Sequence, residues 1–313
     1  MLTPSRILIT GGTGMLGYAF RSLQTEHDMI FINSKTCDLL DYKATCKTFI
    51  DIKPDWVIHL AARVGGVKSN TQFLGDFYRE NIMINTHVLE AARKVKVNKL
   101  VSVLSTCIYP DKIEYPLRET EIHNGKPHIS NYAYAYAKRM LDVQSRSYRD
   151  QYGLNYITAV PNNLFGENDN HHLEDCHVIP AIIHKMFNSI KTKRDVVLWG
   201  DGSPLREFTY SQDVARILLY LLENYNDRDP INIGNTIEMS IKEIAETIKR
   251  NLGFKGNIIW DTSKPMGQFR KPSSNKKLLN LAWRTDQYTD FHLALEKSCN
   301  WFVKNYPNIR GIK

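Results

Sequence analysis

Arg6-Ile7-Leu8-Ile9-Thr10 runs without a break into Gly11-Gly12-Thr13-Gly14-Met15-Leu16-Gly17. The apolar run reads as a buried strand, the glycines as a tight turn, and the residues from Met15 onward as the start of an apolar-periodic helix. Such a turn lets backbone come close to a pyrophosphate, and the amides at the helix start meet its negative charge. Glycines at this spacing also occur in ordinary loops. Directly after the first strand and directly before a helix, they form a dinucleotide fingerprint. Working outward, residues 29–32, 55–60, 100–104 and 156–160 read as further buried strands with helical patterns between them. This alternation predicts an α/β fold, a doubly wound Rossmann sheet of parallel strands.

The second strand sets the cofactor. An acidic residue at its end would hydrogen-bond the 2′-hydroxyl of NAD and repel a 2′-phosphate. Here the chain offers Asn33-Ser34-Lys35, a polar and cationic trio that can receive the phosphate, so NADP(H) is expected. Asp38 and Leu39 come next, near the adenine edge. The third strand runs through Leu60 into Ala61 and Ala62, small residues that let a ribose or pyrophosphate pass close to the backbone.

Chemistry is expected at the end of the fourth strand, where Ser105-Thr106-Cys107-Ile108-Tyr109 begins, because open α/β sheets bind ligands at the carboxyl ends of their strands. Further along, Tyr134 and Lys138 stand at i and i+4, on one face of a helix. A cation there can favour the phenolate of a group whose ordinary pKa is about 10. A hydroxyl, a tuned phenol and an ammonium are what a carbonyl needs if it is to be polarised and protonated during reduction. Tyr132 and Tyr136 lack a lysine at that spacing and read as packing or pocket wall.

The chain has 313 residues, 42% of them hydrophobic, enough for one large core and a second, smaller one. The division expected is a NADP-binding domain over 1–165, rejoined by 207–234, and a smaller mixed α/β substrate lobe over 166–206 and 235–313. No run of about eighteen apolar residues and no charged-then-apolar leader is seen, so no membrane partner and a cytoplasmic location are expected. Five cysteines, Cys37, Cys46, Cys107, Cys176 and Cys299, lack metal-type pairing and read as reduced thiols. The net charge of +8 is dispersed, without a basic block or interleaved aromatics, which argues against nucleic acid and suits an anionic small substrate.

The helical stretch over 71–96 carries Phe73, Phe77, Ile84, Val88 and Leu89 as its packed stripe. Glu167 to Cys176 reads as a polar excursion over a pocket, and His177-Val178-Ile179-Pro180 opens a helix containing Lys185. His171 and His172 are adjacent, face different ways and give no metal spacing. Ser240 and Glu243 form a capping box, and a last helix is expected over 290–306.

With these segments assembled, the chain resembles the extended short-chain dehydrogenase/reductase family along nearly its whole length, and within it the GDP-L-fucose synthase family. The resemblance rests on Gly11 to Gly17, His59-Leu60-Ala61-Ala62, Ser105 to Pro110, Tyr134 to Lys138, Pro161 to Gly166, His177 to Pro180, Trp199-Gly200 and Arg206-Glu207-Phe208. It implies NADPH-dependent epimerisation at C3 and C5 and reduction at C4 of GDP-4-keto-6-deoxy-D-mannose. Ser105, Tyr134 and Lys138 are then the reductase triad, and Cys107 with His177 the acid/base pair for inversion. Pro161, Asn162, Asn163, Leu164, Lys138 and His177 join the cofactor contacts, and Lys185, Trp199 and Arg206 hold the nucleotide. The family's homodimer, through helices near 75–95 and 132–150, is implied as well. Met266 departs from the pattern, standing where an acidic residue is usual.

The chemistry agrees with these roles. Protons at C3 and C5 are both α to the carbonyl, so one stabilised enolate oxygen at C4 serves both inversions. Thiol and imidazole, with ordinary pKa values of about 8.5 and 6.5, can exchange protons near neutrality. A 4,6-dehydratase would need an acid and a carboxylate where Thr106 and Cys107 stand. A UDP-hexose 4-epimerase would favour an acidic end to the second strand. A plain 4-reductase stays open if Cys107 and His177 point away from the sugar, and a non-catalytic NADP-binding module is the alternative of another class.

Overall fold

Arg6–Thr10 forms β1, near the edge of a six-stranded sheet, in the computed structural model, which describes residues 4–263 and 269–312. The chain continues through α1 (Met15–Arg21), β2 (Asp28–Phe31), α2 (Tyr42–Ile52), β3 (Trp56–His59), α3 (Val67–Gln72), α4 (Leu74–Lys94), β4 (Lys99–Val103), α5 (Tyr132–Tyr152) and β5 (Tyr156–Pro161). After β6 (Asn163–Phe165) come α6 (Val178–Thr192), β7 (Val196–Trp199), β8 (Leu205–Tyr210), α7 (Ser211–Asn224), β9 (Ile231–Ile233), β10 (Glu238–Ser240), α8 (Ile241–Leu252), β11 (Ile258–Asp261), α9 (Lys276–Asn280) and α10 (Phe291–Asn305).

The main sheet is parallel throughout, in the order β2-β1-β3-β4-β5-β9. Its strands are apolar on both faces because helices cover both. Ile7 and Ile9 point into one core with α1 and α7, whereas Leu8 points into the other with α2, α4 and α5. The chain leaves β1 to one side for β2 and returns on the other for β3. That reversal opens a crevice between the carboxyl ends of β1 and β3, the place where such sheets take a dinucleotide. Two smaller sheets, β10-β8-β6 and β11-β7, pack with α6, α8 and α10 around a third core that includes Ile183, Phe208, Ile244 and Phe302. The fold is therefore the expected doubly wound Rossmann sheet with a smaller mixed α/β lobe. α8 begins with the expected capping box of Ser240 and Glu243.

Some local structure departs from the expectations. The helix expected over 71–96 is two helices, because Phe73 leaves helical geometry (φ −118°, ψ 41°). Its ring is 41% exposed and lies 5.7 Å from the Arg63 guanidinium, while Phe77, Val88 and Leu89 are buried. In the polar excursion over 167–176, Glu167, Asp169 and His171 are buried, whereas Leu173 and Glu174 are exposed. The His171 backbone N–H donates to the Arg310 carbonyl at 3.0 Å, and its ring packs against Phe302 at 4.6 Å. Its Nδ1 meets the Pro180 carbonyl at 3.2 Å. This segment is fastened to α6, α10 and the chain's last turn. α2 was not anticipated, although Asp41 caps it by accepting from the backbone N–H of Lys43 and Ala44.

Candidate active site

Two glycines build the dinucleotide crevice. Gly11 has φ +72°, and a Cβ there would stand 3.0 Å from the Ala61 nitrogen, so the turn and the end of β3 touch backbone to backbone. A Cβ on Gly17 would fall 2.6 Å from both the Cα and carbonyl carbon of Gly12. Gly17→Val therefore pushes α1 off the turn. Overpacking of this kind costs about 1–3 kcal/mol, and we expect NADP⁺ affinity measured by calorimetry to fall at least about tenfold, equivalent to about 1.4 kcal/mol.

Behind the crevice runs a buried chain of hydrogen bonds whose directions are fixed. Thr10 Oγ1 accepts from the backbone N–H of Leu60 and Ala61, both at 3.1 Å. Its hydroxyl then donates to His59 Nδ1 at 2.9 Å, His59 Nε2–H donates to Asn85 Oδ1 at 3.0 Å, and Asn85 Nδ2 donates to the Ala137 carbonyl at 3.4 Å. Burial, helped by the nearby Lys138 charge, holds the His59 pKa down at about 3, so the ring is neutral. The cofactor turn is thereby tied to the helix turn that carries Lys138.

At the end of β2, Asn33 Oδ1 accepts from the backbone N–H of Lys35 at 2.8 Å and of Thr36 at 3.3 Å, closing a polar turn. Ser34, Lys35 and Asp38 are exposed, and Leu39 is buried with its carbonyl bonded by His87. The Arg21 guanidinium lies 4.0 Å over the Phe31 ring and reaches the Gly12 carbonyl at 3.4 Å. Neither Arg21 nor Lys35 has a salt bridge among the described residues. The glycine cradle and the cations at the end of β2 fit a dinucleotide carrying a 2′-phosphate.

Ser105 comes just after β4 and caps a short 3₁₀ turn over Thr106–Ile108, its Oγ accepting from the Cys107 backbone N–H at 3.4 Å. α5 delivers Tyr134, with Phe77 edge-on at 6.4 Å, and Lys138, whose Nζ donates to the Val103 carbonyl at 2.8 Å. Burial lowers the Lys138 pKa to about 8. Burial also raises the Tyr134 phenol well above its ordinary value, with the neighbouring Cys107 adding to it. In the unliganded protein desolvation dominates at Tyr134, which stands there as a neutral proton donor. Burial likewise pushes the Cys107 thiol up, against the Ser105 bond and the charges of Lys271 and Lys138. Cys107 is partly exposed as a residue, and its side chain packs against the core beneath α4 and α5.

His177 caps the start of α6 and is exposed. Among the described residues no hydrogen bond or ion pair joins it to Cys107; its charged neighbour is the buried Asp169, whose carboxyl it helps to keep ionised against burial. Lys185 and Trp199 come together, Nζ 5.5 Å from the indole and bonded to the Val197 carbonyl at 3.3 Å. Arg206 is bonded to the carbonyls of Leu205 and Phe269. Asn162 has its side chain committed to Glu207, Asn235 and Thr209, and Asn163 donates to the Glu207 carbonyl. Pro161 is buried at the end of β5, and Leu164 packs against the main core. Tyr132 and Tyr136 line a shallow apolar groove with Leu74, Tyr78 and Met140. Met266 lies outside the described residues.

Lys271 was not among the expected site residues. This half-buried lysine has its pKa lowered by burial and lies close enough to Cys107 and Arg206 for their charges to act on it. No local pattern marks it.

The family model for the NAD dependent epimerase/dehydratase family matches residues 7–234. The chain belongs to that family. Within this epimerase/dehydratase family it is similar to a GDP-L-fucose synthase from Dictyostelium discoideum, at 44% identity with 97% of each chain covered. A probable GDP-L-fucose synthase from Drosophila melanogaster is 41% identical, with 97% of this chain and 99% of the relative covered. Among solved structures, a GDP-L-fucose synthetase from Naegleria fowleri bound to NADP superposes with a TM-score of 0.93 at 41% identity, covering 99% of this chain and 98% of that one.

Proposed function

We propose that this protein catalyses NADPH-dependent 3,5-epimerisation and 4-reduction of GDP-4-keto-6-deoxy-D-mannose to GDP-L-fucose. The observation that carries the reading is the meeting of Ser105, Tyr134 and Lys138 with a partly exposed cysteine, Cys107, at the end of β4. Relatives of the same length bear the corresponding name.

NADP(H) is held by the turn from Gly11 to Gly17, by Asn33, Ser34 and Lys35 with Asp38 and Leu39 beside them, and by the strand ends at Leu60–Ala62 and Pro161–Leu164. Lys138 and His177 complete that set. When bound, NADPH supplies the hydride for C4. Ser105 and Tyr134 hold the C4 oxygen, which stabilises the enolate during each inversion and then takes the Tyr134 proton during reduction. Cys107 and His177 work on the two faces of the sugar ring, moving protons at C3 and C5. For that role His177, exposed at the start of α6 in the free protein, must turn toward the bound sugar. Lys185, Trp199 and Arg206 take the GDP group, through ion pairing and packing on the ring.

The cofactor domain is 1–165 with 207–234, and the substrate lobe is 166–206 with 235–313. The reaction is assigned to the cytoplasm, supported by five unpaired thiols and by the lack, among the described residues, of any helix long and apolar enough to cross a membrane. A homodimer is assigned through α4 and α5, supported by exposed Tyr78, Tyr132, Val143 and Tyr152 on those helices.

Incubation with NADPH and the 4-keto-6-deoxy sugar nucleotide in D₂O tests the activity. The expected result is NADPH consumption with deuterium at C3 and C5, read by NMR. Oxidation without label would leave a plain 4-reductase, and neither signal would leave a cofactor-binding module.

A further inference from the structure

α5 presents two successive cations to the segment that follows β4. Lys138 Nζ donates to the carbonyl of Val103, the last residue of the strand, at 2.8 Å. Arg139 donates through Nε at 3.0 Å, and also through Nη2, to the carbonyl of Ile108, the last residue of the 3₁₀ turn. Ser105, Thr106 and Cys107 are therefore slung between two carbonyls that one helix holds. Carbonyls at the end of a turn have no partner within it, and the planar fork of an arginine can meet such an oxygen with two donors at once.

Arg139 is 4% exposed, and no carboxylate pairs with it among the described residues. Its remaining hydrogen bond also goes to a carbonyl, from Nη1 to Gly125 at 2.8 Å, and the Tyr136 ring lies 5.3 Å from its guanidinium carbon. Burial lowers its pKa, but a guanidinium keeps its proton at neutral pH. A buried charge without a counter-charge is a costly way to fasten a loop, and this loop has other fastenings. The Tyr109 hydroxyl donates to Asn232 Oδ1 at 2.6 Å. Gly125 and Pro110 already touch, since a Cβ on that glycine would stand 3.1 Å from the proline Cβ. What the arginine adds is a fixed direction for the Ile108 carbonyl, one residue beyond Cys107.

We propose that Arg139 is a positioning residue for Cys107: by holding the Ile108 carbonyl to α5 it fixes where the Cys107 turn sits relative to Tyr134 and Lys138, and so serves the inversions at C3 and C5. The proposal rests on the epimerase/reductase reading above. Reduction at C4 depends on it less. Tyr134 and Lys138 belong to α5 itself, and Ser105 stands two residues from the Val103 anchor, whereas Cys107 adjoins Ile108.

The test compares deuterium entry at C3 and C5 in D₂O, read by NMR, with NADPH oxidation on an already epimerised 4-keto sugar nucleotide. Arg139→Met is expected to slow exchange by about 10²-fold, as a displacement of about 1 Å can, and reduction by less than about fivefold. Arg139→Lys keeps the charge and a donor, and should recover about tenfold of the lost exchange. His123→Ala is the structural control. Its Nε2–H donates to Asp142 Oδ2 at 2.9 Å and ties the segment next to Gly125 to α5 without touching Ile108. That variant should melt at a lower temperature while the ratio of exchange to reduction stays within about twofold of wild type. Should Arg139→Met fail to fold, Arg139→Lys carries the test against wild type, with exchange slowed about tenfold and reduction within about twofold. Parallel loss of exchange and reduction, the same split in His123→Ala, or a lysine variant no better than methionine would overturn the proposal. A wild-type protein that exchanges no deuterium would remove the epimerase reading and this proposal together, whereas parallel losses in an exchanging enzyme remove the proposal alone.

Discussion

Cys107→Ser slows the entry of solvent deuterium at C3 and C5 by about 10²–10⁴-fold, the usual worth of a positioned acid or base, while an already epimerised 4-keto sugar nucleotide is still reduced at most of the wild-type rate. The geometry sets this asymmetry. Cys107 lies near enough to Tyr134 and Lys138 for their charges to act on one another, but the loop is tethered to Ser105 by the Cys107 backbone N–H, which serine retains. Serine keeps the volume and the polarity and gives up the readily transferred proton of a thiol. Ser105, Tyr134 and Lys138 are left in place, so the steps at C4 keep their machinery. The measurement pairs NMR of label at each carbon with NADPH oxidation on the two substrates. Equal loss of exchange and reduction would mean that the thiol supports the whole loop and has no separate proton to move.

Much of this arrangement was legible because its signals are local. The strand, turn and helix around Gly11 announce themselves by contiguous spacing, and Tyr134 and Lys138 by one turn of helix. Ser105 drew attention because apolar residues end just before it, and strand ends in such sheets face ligands. Lys271 was not legible. The neighbouring segment, residues 272–274, is held by Glu207 and Leu117, each far away along the chain. The role of His59 was hidden for a similar reason: its partners Thr10 and Asn85 belong to other elements, and only their joint geometry fixes its tautomer. The desolvation of Tyr134 was not legible either, since helical spacing reveals a neighbouring charge but not how much water the surrounding residues exclude. Phe73 looked like one more member of an apolar stripe, yet the chain turns there and the ring faces Arg63.

Tyr134→Phe is expected to lower reduction at C4 by about 10²–10⁴-fold. The substitution keeps the ring against Phe77 and removes one hydroxyl. Without it the C4 oxygen loses its proton donor, while Ser105 still contacts that oxygen, so deuterium exchange at C3 and C5 should fall less than reduction does. The pH dependence of the wild type assigns the remaining part. Lys138 has a pKa of about 8 in the free protein, and kcat/KM reports free-enzyme groups. Its ammonium is present below that value and is lost above it, so kcat/KM for reduction should decline as pH rises through about 8. The Tyr134 phenol, raised by burial, stays protonated across that range and cannot produce the decline. Lys138→Met should therefore be slow at every pH and lack the alkaline limb, measured by NADPH oxidation over a pH series. If the limb survives in Lys138→Met with the same midpoint, the titrating group is another one, and the lysine serves to hold α5 against Val103 and takes no part in poising the phenol's proton.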